Sequence, residues 1–91
     1  MDLNESRKII SAIDEQMIAL FVKRMAAVAD VAEYKKAAGL PVLDPAQEQI
    51  VLDRAAALAG EELGGYARAL YERVLAVSRA YQEKLLEGGR P

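Results

Sequence analysis

Two cations stand where the surrounding pattern reserves apolar side chains. In the first part of the chain Ile10, Ile13, Met17, Leu20, Val28 and Val31 recur at helical spacing. At 100° per residue they fall in one stripe about 80° wide, no wider than an ordinary core face. Arg24 and Lys35 lie inside that stripe. A buried charge without a partner is very costly, so each cation requires an anion. One solution is internal: a carboxylate such as Glu48, or escape of the long side chains to solvent. The other is a bound anionic ligand. Arg24 and Lys35 are eleven residues apart, close to three turns, so both point the same way from Cα atoms about 16 Å apart. Two long side chains converging from that separation can bracket a small molecule.

Polar groups recur elsewhere in positions that suit a ligand. Ser78 and Gln82 are spaced i,i+4 and share a face with Tyr71 and Leu75, which marks that face as inward. A hydroxyl and an amide there can orient a ligand or join two helices by a hydrogen bond. Asp44, Gln47 and Glu48 gather on the first turn of another helix. Capping and compensation of the helix dipole account for Asp44 and Gln47, but less fully for Glu48.

Three helices are needed to position these groups. From about Asn4 to Ala38 there is no Pro or Gly, Asp2 or Asn4 can cap the start, and Gly39-Leu40-Pro41 forms a stop. Asp44 then serves as an N-cap, Pro45 suits the first helical position, and Gln47 completes a capping box. This second helix runs to about Ala59 and stops at Gly60; Glu61 to Gly65 is a connection. A third helix spans about Tyr66 to Leu86 and ends at Gly88-Gly89. The expectation is one all-α domain over residues 1–91, with helices at about 4–38, 45–59 and 66–86. The first would run roughly 50 Å, whereas a globule of this size has a radius of gyration of only about 12 Å. Two shorter helices cannot wrap it, so a second copy of the chain is expected to cover the rest.

Composition narrows the chemistry. The 91 residues include no Cys and no His, which excludes disulfides, cysteine nucleophiles and the common zinc and catalytic-histidine designs. Twelve basic and fourteen acidic residues give a net charge of -2, against a general nucleic-acid binder. Met1-Asp2-Leu3-Asn4-Glu5 lacks the basic start and apolar run of a signal peptide, and no apolar stretch approaches membrane-spanning length. A soluble cytoplasmic protein is the expectation.

The ordered set Arg7, Ile10, Ile13-Asp14, Leu20, Arg24, Val31, Lys35, Gly39-Leu40-Pro41-Val42, Asp44-Pro45, Glu48, Leu52, Ser78 and Gln82 resembles the all-helical chorismate mutases, over nearly the whole chain from Leu3 to about Leu86. The resemblance implies an intertwined homodimer whose long helices cross between protomers, with two active sites and neither metal nor organic cofactor. It implies that Arg24 binds one carboxylate of chorismate and that Arg7 of the partner subunit binds the other. Lys35 and Gln82 would donate to the ether oxygen. Glu48 would hold the ring hydroxyl with help from the backbone near Asp44, and Ser78 would assist carboxylate binding. Arg7 and Arg24 are seventeen residues apart, about 25 Å along one helix and about 100° apart around it. One small ligand cannot touch both from the same helix. The sequence departs from the family pattern at Gln47, where an arginine is usual; the amide keeps a donor and a capping role but not the charge.

The implied reaction is a unimolecular rearrangement of chorismate to prephenate, in phenylalanine and tyrosine biosynthesis. It needs no nucleophile or base. Alternatives are an isochorismate pyruvate lyase or a mutase of aminodeoxychorismate on the same scaffold, and a non-catalytic helical dimerisation module. The last explains the long helix but not Arg24 and Lys35 within its stripe. The Gly88-Gly89-Arg90-Pro91 tail is expected to be either a natural end or a linker to a prephenate-processing domain.

Overall fold

A computed structural model describes residues 1–88 and contains three helices: α1 (Leu3–Ala38), α2 (Pro45–Ala59) and α3 (Gly64–Gly88). The expected tail beyond Gly88 lies outside the described residues. Among those residues there is no strand, so the all-α class stands, and no helix is long and apolar enough to cross a membrane.

The helix ends follow from local chemistry. Asp2, not Asn4, caps α1: its Oδ1 accepts from the Glu5 backbone N–H at 2.8 Å. The other end closes on Gly39, in the left-handed region at φ 69°, which favours glycine. Leu40 N–H then donates to the Lys35 carbonyl at 2.8 Å. At the start of α2 the Asp44 carboxylate accepts from Gln47 N–H at 3.1 Å, with Pro45 in the first turn. The third helix begins at Gly64 rather than near Tyr66. Gly64 is buried against α2, and a Cβ there would lie 2.9 Å from the Ala56 carbonyl oxygen. This glycine permits close helix packing where a helix break was expected, so the connection shortens to residues 60–63.

Both α1 and α2 pack on α3, but they do not pack on each other. The core is small: Ala29 and Ala32 of α1 meet Leu85 of α3, with Tyr81 packed alongside. On the far side Arg68 of α3 donates to Asp53 of α2 at 2.8 Å, and Gln49 donates to the same carboxylate at 3.0 Å. The Arg68 hydrogen bond, then that of Gln49, holds the Asp53 carboxyl below its ordinary range.

The apolar stripe of α1 is not a core face within one chain. Ile10, Ile13, Met17, Leu20 and Val31 are exposed, Leu20 by 62%, and Val28 is half-buried. The reason is reach: α3 meets α1 around Ala29 and Ala32 and leaves its first half uncovered. The chain is accordingly extended, 53 × 31 × 14 Å, with a radius of gyration of 16.0 Å against about 12 Å for a globule of its length. Its accessible surface is 7062 Å², roughly 1,900 Å² more than the ~5,200 Å² of a compact monomer of this mass.

Candidate active site

The gap between α1 and α2, floored by α3, is a cleft of about 190 Å³. It gathers Arg24 and Lys35 from α1, Asp44, Gln47 and Glu48 from the start of α2, and Ser78 and Gln82 from α3. Seven of the eight residues singled out by the sequence therefore share one cavity.

Arg24, Lys35, Glu48 and Ser78 are each held by an identifiable contact. Arg24 Nη1 donates to Ser78 Oγ at 2.5 Å, and the Ser78 hydroxyl donates onward to the Val74 carbonyl at 2.8 Å. Lys35 Nζ donates to the Val42 carbonyl at 2.7 Å, which pins the ammonium to the α1–α2 connection. An ammonium has three donors, so this bond leaves others for a ligand. Both cations are half-buried. Their partners here are a neutral hydroxyl and a neutral carbonyl. Glu48, the carboxylate the sequence offered to them, is instead paired with Arg79, whose Nη1 lies 2.5 Å from Glu48 Oε1. Escape to solvent does not describe these cations either, since each is directed into a contact inside the fold.

Ser78 and Gln82 are buried, at 4% and 7% exposure. Among the described residues Gln82 Oε1 has no hydrogen-bond partner. A stranded buried polar atom costs about 1–3 kcal/mol, and such atoms concentrate where a ligand or water completes the set. Val28, Val31, Val51 and Leu75 supply apolar wall between the polar groups. A wider groove of about 630 Å³ shares Arg24, Gln47 and Val51 and continues past Ile50, Leu58 and Tyr71.

The eighth residue, Arg7, is exposed on the uncovered first part of α1 and does not line the cleft. Since α1 is unbroken from Leu3 to Ala38, Arg7 stays about 25 Å from Arg24 along the axis. Sequence reasoning missed Arg79, which lines the cleft through its bond to Glu48. The available signal was Glu48 itself, a carboxylate that dipole compensation did not fully explain. The cleft thus holds three cations, Arg24, Lys35 and Arg79, and two carboxylates, Asp44 and Glu48. Such a site suits an anion with polar substituents.

Comparison with known proteins gives a consistent picture. A family model described as chorismate mutase type II matches residues 6–83. A curated relative, a chorismate mutase of Methanocaldococcus jannaschii, is 40% identical over 52 residues. That alignment covers 57% of this chain and 52% of the relative, so the match spans about half the relative's length. No solved structure gives a significant match.

Proposed function

Because this chain belongs to the chorismate mutase type II family, we propose that it catalyses the rearrangement of chorismate to prephenate, as a cytoplasmic homodimer serving phenylalanine and tyrosine synthesis. The observation that carries this reading is the cleft. Arg24 and Lys35 of α1 face one cavity with donors that the chain does not fully use, and Gln82 lines the same cavity from α3.

The rearrangement is concerted and unimolecular, so the protein needs neither nucleophile nor base. It must hold the side chain of chorismate over the ring and stabilise the charge that grows on the ether oxygen as the C–O bond breaks. In this reading Arg24, steadied by Ser78, binds one carboxylate; an arginine fork matches a carboxylate in bidentate geometry. Lys35 and the Gln82 amide N–H₂ donate to the ether oxygen. Glu48 accepts from the ring hydroxyl beside the Asp44 backbone, and Gln47 adds a neutral donor.

The second carboxylate falls to Arg7 of the partner subunit. Two features support a dimer. The first half of α1 carries an uncovered apolar stripe. The surplus of roughly 1,900 Å² per chain, doubled, lies in the 2,000–5,000 Å² range of obligate dimer interfaces. An added Arg7 would also raise the cleft's formal charge from +1 to +2, matching a dicarboxylate.

The test is direct: incubate the purified protein with chorismate and identify the product by NMR. Prephenate is the expected product. Unchanged chorismate, or pyruvate release from isochorismate in its place, would reject the assignment.

A further inference from the structure

One ion pair in the cleft has no part in the roles above. Arg79 of α3 reaches Glu48 of α2 at 2.5 Å, and both side chains are largely withdrawn from water, at 31% and 22% exposure. The contact consumes one carboxylate oxygen, Oε1, and leaves Oε2 to accept from a ligand hydroxyl. It also sets a cation against a carboxylate that would otherwise face a dianionic ligand with like charge, which is destabilising at close range. Gln47, one position before Glu48 and on the same cleft wall, has no charge with which to do this.

We propose that Arg79 is a positioning residue for substrate binding: it fixes Glu48 toward the ligand's ring hydroxyl and offsets its charge against the ligand's carboxylates. This rests on the chorismate mutase reading, with Glu48 as the hydroxyl acceptor. The effect belongs to binding more than to bond breaking, because the hydroxyl and carboxylates carry their polarity in ground state and transition state alike. Removing Arg79 therefore raises KM with little change in kcat.

A double-mutant cycle tests this with chorismate as the probe. R79M is expected to raise KM roughly tenfold, less than the loss from truncating a fully buried pair, with kcat within about threefold of wild type. R79K is expected to recover most of the loss. In the E48Q background, where no carboxylate needs holding, R79M is expected to change KM less than about twofold. An equal loss in both backgrounds, or no loss in the wild-type background, overturns the proposal. If R79M does not fold by circular dichroism, R79K in the E48Q background takes its place. It must then be silent, and a loss of affinity there overturns the proposal. A wild-type protein without turnover rejects the functional reading itself, whereas active wild type with an indifferent Arg79 rejects this inference alone.

Discussion

In the proposed homodimer, replacing Ile13 by aspartate is expected to separate the protomers and to abolish chorismate turnover with them. Ile13 sits in the middle of the uncovered stripe of α1 and is 47% exposed in the single chain. Fully burying an isoleucine is worth about 1.5–3 kcal/mol, so covering the exposed half is worth about 1 kcal/mol. A two-fold dimer uses the residue twice, which makes about 2 kcal/mol. The new carboxylate must also leave water, at a cost of several kcal/mol per copy. The total is at least about 5 kcal/mol, or nearly four decades in the dimer dissociation constant. Asp and Ile have similar helix propensities, so α1 itself should persist. Sedimentation equilibrium reads the assembly, circular dichroism the helices, and chorismate consumption the site. A variant that still pairs with wild-type affinity would refute the reasoning. So would a wild-type protein that sediments as one chain at full turnover.

Further outcomes are expected. Mixing inactive Arg7→Ala and Arg24→Ala proteins through a cycle of unfolding and refolding should restore about one quarter of wild-type activity. Half of randomly paired dimers are then mixed, and each carries one intact site of two; no recovery would place both arginines in one chain's site. Lys35→Ala should lower kcat by about 10²–10³, the usual cost of a donor to developing oxygen charge, with the circular dichroism spectrum unchanged. Gly64→Ala should cost about 1–3 kcal/mol in urea unfolding, because its methyl group meets the Ala56 carbonyl. Gly65→Ala, with open space around it, should instead gain up to about 1 kcal/mol from helix propensity. Finally, the depressed Asp53 carboxyl contributes stability that is present above its unfolded-state pKa and lost as pH falls through its lower folded value. Asp53→Asn should therefore flatten the acid side of the melting curve. The change should be small, since the pair is at the surface.

The parts of the molecule readable from sequence were those governed by short-range rules. Gly39 and Gly60 stop helices because each has a positive φ, and Asp44-Pro45 starts one because a carboxylate caps the first turn. Arg24 and Lys35 were visible because they break a periodic pattern, and Ser78 and Gln82 because they share one face. What escaped depends on distance between helices. Gly64 resembles a break until α2 is laid against it. Arg79 resembles a solvated cation until Glu48 arrives from the start of another helix. The apolar stripe has the width and spacing of a core face, yet one chain supplies no cover for most of it.

Because α1 and α2 each lean on α3 and not on each other, the cavity is a missing contact between two helices. A substrate lodged there would act as the wedge that locks the pair, as a large core side chain does in a compact bundle. Catalysis and rigidity would then rise and fall together, because the molecule that is to be rearranged would also be the one that ties α1 to α2.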